Sequence, residues 1–275
     1  MILHTSSRID TVDPQTATII LEDGRQYSGD VVVGADGVHS RARQAIGPNV
    51  PPAFKTHHSA FRFMVERQKV LDDPETNHFA MVRHSMDMWY GPDRKIVLYP
   101  TANNTLLNFV LVHPSNFSEA SDDYNQTASK DMMFSVYKSF EPSILKLLNK
   151  ADPETLKVYP LFDLPTLDTF INQRLVLIGD AAHPFTPHLA QGGAQAIEDG
   201  VSVAVMLSPG VTREEVPTRL ELYMRARYER ATTIQNYSRI VGGDGEADGD
   251  KGPSRFKGTP GLTSVFSKAD KYSSS

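Results

Sequence analysis

Arg174-Leu-Val-Leu-Ile-Gly-Asp-Ala-Ala-His-Pro-Phe-Thr-Pro-His-Leu-Ala-Gln-Gly-Gly-Ala-Gln-Ala-Ile-Glu-Asp-Gly200 carries most of the architectural information in this chain. The apolar run Leu175 to Ile178 has the length and β-branched content of a buried strand, and it stops abruptly at Gly179-Asp180. A carboxylate is thereby expected at the C-terminal end of a strand. After a loop punctuated by Pro184 and Pro187, Gln191-Gly192-Gly193 leads into a segment with Ala194, Ile197, Val201, Ala204 and Val205 on one face. That spacing predicts a helix opening on glycines, whose bare N–H groups attract negative charge.

A strand-end carboxylate and an uncapped helix start suit a cofactor with a polyol to hydrogen-bond and a ring that becomes anionic during turnover, as a flavin does. The segment resembles the second FAD-binding motif of the FAD-dependent aromatic hydroxylases, the group of salicylate and para-hydroxybenzoate hydroxylases. The resemblance implies that Asp180, beside Gly179, binds the flavin ribitol. It also implies that the amides around Gln191, Gly192 and Gly193 face the pyrimidine side of the ring.

A second segment, Asp30-Val-Val-Val-Gly-Ala-Asp-Gly-Val-His-Ser-Arg-Ala-Arg43, reads as another buried strand, ending at Gly34 and turning through Asp36-Gly37. It matches the family's Asp-Gly motif, which implies a loop near the FAD pyrophosphate and the path of the nicotinamide cofactor. Asp36, Gly37, Ser40 and Arg43 fall on that motif. Ser40 is suited to cap a following helix, and Arg43 offers a forked donor for a phosphate or carboxylate. The resemblance runs from Thr16 to about Arg239, and the spacing of the two motifs is that of the family, whose substrate domain is inserted between them.

The expected fold is α/β: a Rossmann-like FAD/NAD(P)-binding domain, N-terminally truncated, with an inserted antiparallel-sheet substrate domain. Residues 1–50 and 165–240 are assigned to the FAD-binding part, 51–164 to the substrate domain and 241–275 to a disordered tail rich in Gly, Asp and Ser. Thr16 to Leu21 and Gln26-Tyr27 read as a hairpin turning at Asp23-Gly24. Ala60 to Val65, Met86 to Tyr90, Lys95 to Pro100 and Thr105 to His113 read as short antiparallel strands. Met132 to Leu148, interrupted by Pro142, reads as two helices, and a last helix is expected from Pro217 to about Arg239.

The family's opening strand, Gly-x-Gly-x-x-Gly turn and helix, which hold the ADP half of FAD, have no match in the sequence. Ile2 to Asp10 resembles instead the strand just before the Asp-Gly motif. Two functions of different classes are therefore expected. One is a monooxygenase in which NAD(P)H reduces FAD and an oxygen atom of O2 passes to an aromatic or other electron-rich small molecule. The other is a truncated, catalytically inactive remnant or binding module, arising from gene truncation or a mis-set start codon.

The net charge of −5 leaves no electrostatic footprint for nucleic acid, so small-molecule partners are expected. There are no cysteines, hence no disulfide framework or thiolate metal site. No apolar run of ~18 residues predicts a membrane span, and a cytoplasmic location is expected. His183 and His188 flank the flavin loop and either touch substrate or hydrogen-bond the loop; no metal is expected there. Tyr99, Pro187 and His188 are the candidate substrate contacts, and Trp89, Tyr90 and Phe109 line either a pocket or the core. Glu198-Asp199 is read as anchoring the helix, and Arg219, Arg225, Arg227 and Arg230 as a solvated helix face. Ala190 stands where the family often has glycine, which costs about 1 kcal/mol if the backbone there has φ > 0.

Overall fold

The computed structural model describes residues 2–81, 85–118, 120–121 and 126–243. The elements in order are β1 (Ile9–Asp13), β2 (Thr18–Leu21), β3 (Gln26–Ser28), β4 (Val32–Gly34), β5 (Phe54–Glu66), α1 (Arg67–Leu71), β6 (Asp87–Tyr90) and β7 (Lys95–Thr101). They continue with β8 (Leu106–Pro114), α2 (Lys130–Tyr137), α3 (Pro142–Leu148), β9 (Lys157–Asp163), β10 (Ile171–Asn172), β11 (Leu175–Leu177), α4 (Gly192–Met206) and α5 (Val216–Gly242).

The hairpin expected around Asp23-Gly24 forms between β2 and β3, with Gly24 at φ 83° where a Cβ would be strained. β1 adds an antiparallel third strand to it. The two strands singled out by sequence lie side by side. β11 pairs with β4 in parallel, Leu175 opposite Val32 and Leu177 opposite Gly34, with β10 antiparallel on the outer side of β11. Both strands thus end at the same edge of one sheet, although 140 residues separate their paired positions.

Between them in sequence, five strands form an antiparallel sheet in the order β6-β7-β8-β5-β9. Residues directly opposite in an antiparallel ladder share a face. Phe61, Phe63 and Val65 therefore join Leu111, Phe109 and Leu107 across the β5–β8 ladder. This face packs on α2 and α3 through Met133, Val136, Tyr137, Ile144, Leu147 and Leu148. Phe109 is fully buried in this core and Trp89 packs against it, so neither is a pocket wall. Pro142 starts α3, and Ser129 caps α2 by accepting the Met132 N–H at 3.1 Å.

A second core surrounds β4 and β11, where Leu175, Val176 and Leu177 meet Leu220, Tyr223 and Ala231 of α5. The last helix runs to Gly242, closed by Gly243 at φ 78°. The tail expected from residue 241 thus begins later than its composition implied, because the helix keeps Val241 and Gly242; from 244 on it lies outside the described residues.

One packing expectation is reversed. The apolar row on α4 points outward: Ile197, Val201 and Val205 are 70%, 59% and 63% exposed, whereas Gln195, Asp199 and Val203 face inward. The polar face is the buried one because Asp199 and Gln195 meet a partner arginine on α5. Replacing both Ile197 and Val201 by Lys should change the free energy of unfolding by no more than about 0.5 kcal/mol per site, as for other surface positions, while lowering binding of an apolar dye. A larger loss in urea unfolding would show that this face is packed.

Candidate functional site

Gly34 lets the two strand ends close on each other. A Cβ there would lie 2.7 Å from both the Ala42 Cβ and the Leu177 Cδ2, so any side chain would force the strands or the following turn apart. After it the chain turns through Gly37 at φ 79°. The Asp36 carboxylate then receives the Ser40 hydroxyl at 2.5 Å and the backbone N–H groups of Arg41 and Ala42 at 2.7 and 3.1 Å. Ser40 Oγ accepts the Arg43 N–H at 2.9 Å. Ser40 does act as a cap, but of a single 3-10 turn, Ala42–Ala45, rather than of an α-helix.

Arg43 departs from expectation. Its side chain is buried, and its guanidinium donates to the carbonyls of Ala181 (2.7 Å), Val38 (2.9 Å), Gly37 (3.2 Å) and Asp180 (2.8 Å). The fork is occupied by backbone and is not presented to a phosphate. It instead ties the Asp36-Gly37 loop to the Gly179-Asp180 loop, a long-range partnership that no local pattern announces.

Gly179 adopts φ 57°, and a Cβ on it would meet the Ala196 Cβ at 3.1 Å. Its N–H is held by Asp199 Oδ2 at 2.9 Å. The same oxygen accepts from His183 Nε2 at 2.7 Å, and Oδ1 accepts from Arg227 Nε at 2.8 Å. His183, Asp199 and Arg227 are all buried, so Arg227 belongs to the interior and not to a solvated face. Burial alone would raise the Asp199 pKa, but the bonds from His183, Gly179 and Arg227 outweigh it and hold it below the usual carboxylate value. Glu198, half exposed, joins Arg227 and Arg230; chiefly through the Arg230 bond, its pKa falls to about 2.

With its backbone so fixed, Asp180 turns its carboxylate to the open side. It lines a cleft with Val38, Tyr159, Pro160, Leu161, Phe162, Pro184, Phe185 and Pro187. Surrounding protein raises its pKa, opposed by His183 and Arg43. A second cleft, on the far side of Asp36, is lined by Arg8, His39 and Arg41. At the start of α4, Gln191 makes no side-chain cap and no acidic residue stands in the first turn. The N–H groups of Gly192 and Gly193 consequently retain the anion-binding character of a free helix start.

Of the candidate substrate contacts, Pro187 lines the first cleft, and Tyr99, 36% exposed, lies on the open face of the five-stranded sheet away from the residues lining it. His188 is buried and bonded to Lys95, a residue that sequence reasoning passed over as an ordinary strand terminus. Arg227 was missed for a similar reason, since its spacing fits a solvated row as well as a buried one. No group of His, Cys, Asp and Glu suited to a metal occurs among the described residues, nor is any described helix long and apolar enough to cross a membrane.

Removing the central carboxylate should be costly. Asp199→Ala is expected to lose about 3 kcal/mol in urea unfolding, the scale for breaking a buried ion pair. Because the Asp199 pKa is depressed on folding, its contribution is complete above the unfolded value of 3.8 and disappears as pH falls through the lower folded value. Asp199→Asn should therefore flatten the acid limb of a stability-versus-pH curve below that value; an unchanged limb would contradict this assignment. Ala190 sits at φ 54°, the strained case anticipated above. Ala190→Gly is accordingly expected to raise stability by up to about 1 kcal/mol, with any gain reduced by the extra freedom of glycine in the unfolded chain.

A family model described as an FAD binding domain matches residues 7–238. The chain is 31% identical over 234 residues to the FAD-dependent monooxygenase atnJ of Arthrinium sp, covering 85% of this chain and 55% of that protein. It is 33% identical over 229 residues to 3-hydroxybenzoate 6-hydroxylase 1 of Aquipseudomonas alcaligenes, covering 83% of this chain and 54% of that protein. It thus spans about half the length of the curated relatives it matches. In fold it is similar to a salicylate hydroxylase in a substrate complex, with a TM-score of 0.76 at 23% identity, covering 97% of this chain and 68% of that one. With the family match running from just before β1 into the final turns of α5, the chain belongs to the FAD binding domain family, among the FAD-dependent aromatic hydroxylases.

Proposed function

We propose that the chain is part of an FAD-dependent monooxygenase that hydroxylates an aromatic or other electron-rich small molecule, with NAD(P)H and O2 as co-substrates. The observation that carries this reading is the convergence of two loops at the ends of adjacent parallel strands, with the Asp180 carboxylate open beside them. Ligands of α/β sheets bind outside the carboxyl ends of such strands. We assign residues 1–50 and 165–240 to the FAD-binding part and 51–164 to the substrate domain, with a cytoplasmic location.

The residues present fit the ring half of a flavin. In this reading Asp180 hydrogen-bonds the ribitol hydroxyls, the amides of Gly192 and Gly193 receive the negative charge of the reduced ring, and Gln191 starts the helix that aims them. Asp36, Gly37 and Ser40 form the loop on the pyrophosphate side, and Arg43 acts by holding that loop against Asp180. When bound, the flavin supplies the redox chemistry and oxygen activation; the chain's own residues orient it and the substrate. The cleft wall of Tyr159, Leu161, Phe162, Phe185 and Pro187 is apolar and aromatic, suited to the face of a flat ring.

The second reading, a non-catalytic binding module, is favoured by the exposed apolar row of α4 and by the missing glycine turn for the ADP half. Flavin titration separates the two. If the 275-residue chain holds only the ring half, FAD and FMN should bind within severalfold of each other and far more weakly than FAD binds a complete relative. Tight, stoichiometric FAD would overturn that expectation, and no flavin binding at all would favour the non-catalytic module. Asp180→Ala, in a chain that binds flavin, should lose roughly 1.5–3 kcal/mol of flavin affinity, the scale of a charge-assisted hydrogen bond, without loss of fold. Unchanged affinity would remove Asp180 from the flavin site.

A further inference from the structure

Lys95 and His188 come from opposite sides of the substrate cleft's surroundings, one from β7 and the other from the loop between Asp180 and α4. Each is 8% exposed, and Lys95 Nζ lies 2.6 Å from His188 Nδ1. Lys95 occupies the face of the five-stranded sheet away from the helices, in one row with Val112, Ala60 and Tyr159. Tyr159 lines the cleft, as does Pro187, the residue before His188.

An ammonium group carries three N–H donors and no lone pair, so it donates to His188 Nδ1 and the ring proton must reside on Nε2. That Nε2 is itself buried and has no hydrogen-bond partner among the described residues. The His58 ring stands edge-on to His188 at 5.9 Å. The Lys95 pKa is pushed down to about 8 by burial, with no carboxylate raising it. That of His188 falls to about 3 through burial and then the nearby Lys95 and His58. The cluster is thus a set of donors with a buried positive charge and no acceptor to balance it. Buried charges and polar groups are normally paired, and an orphaned donor of this kind calls for an acceptor from outside the chain.

We propose that Lys95 and His188 form a seat for an anionic oxygen of the substrate, a carboxylate or an ionised phenolic hydroxyl, with His58 at its edge. The proposal rests on the reading of this sheet face as the substrate side, and it narrows the substrate to an acid. The ammonium supplies charge, His188 Nε2–H supplies direction, and the loop that carries His188 leads on to Gln191 and the start of α4. A seated anion therefore joins the sheet to the loop that orients the flavin.

The test is calorimetric titration of the full 275-residue chain, without flavin, with salicylate and with its neutral amide, salicylamide. Wild type should bind salicylate at least about tenfold tighter than salicylamide. Lys95→Met should abolish that preference, Lys95→Arg should preserve it, and His188→Phe should weaken salicylate severalfold. Circular dichroism establishes that each variant is folded; if Lys95→Met is not, the His188→Phe and Lys95→Arg results decide in the same way. Equal binding of acid and amide, salicylate binding indifferent to these substitutions, or no binding of salicylate, benzoate or 4-hydroxybenzoate at millimolar concentration overturns the seat. Because no flavin is present, Lys95-dependent acid binding by a chain that fails to hold FAD would overturn the monooxygenase reading alone.

Discussion

The carboxylate of Asp199 is the constraint around which the rest of the site is arranged. It has no solvent exposure, yet it receives the N–H of Gly179, the imidazole of His183 and the guanidinium of Arg227. These three groups belong to the end of β11, the loop beyond it and the long helix α5. Such an ion has either all its partners or a large desolvation penalty, so the three segments are fixed together or not at all. Gly179 is thereby held in its left-handed conformation, which turns Asp180 outward into the cleft. The outward aspartate and the inward one are two ends of a single device.

Helix α5 extends that device along the loop. Gln235 Nε2 donates to the carbonyls of Leu164 and Pro184, and the Ser238 hydroxyl donates to the Thr186 carbonyl at 2.5 Å. Arg239 pairs with Asp163 at the end of β9, and Tyr223 donates to the Leu177 carbonyl. One helix therefore positions the proline-rich loop, the end of the substrate sheet and the strand that bears Gly179-Asp180. Arg43 does the corresponding work on the other side through four backbone carbonyls. A site with few charged groups facing the ligand thus depends on buried charged groups behind it, which hold backbone geometry and make no contact with the cleft.

The same arrangement explains why α4 presents an apolar row to the outside. Its inward face is committed to Asp199, Gln195 and Arg227, so Ile197, Val201 and Val205 have no interior to enter. An apolar row of this kind at helical spacing is normally a buried one. Its exposure accompanies a chain that spans about half the length of the relatives it matches.

Much of this protein was legible in local sequence. The two strands ending at Gly34 and Gly179, the helix opening at Gly192, the antiparallel insert and the Pro142 break all follow from periodicity, β-branching and the special backbone freedom of glycine and proline, properties that act over a few residues. Their assembly also followed once both motifs were matched to one family. Tertiary structure alone decided which side chains the interior would claim. Arg227 reads as a solvated row and Arg43 as a ligand fork, yet both are buried against groups 28 and up to 138 residues away. Lys95 reads as a strand end and pairs with His188, 93 residues distant. A cation's partner is set by where the chain returns in space, and hydrophobic spacing encodes which face of an element is apolar but not whether a neighbour covers it.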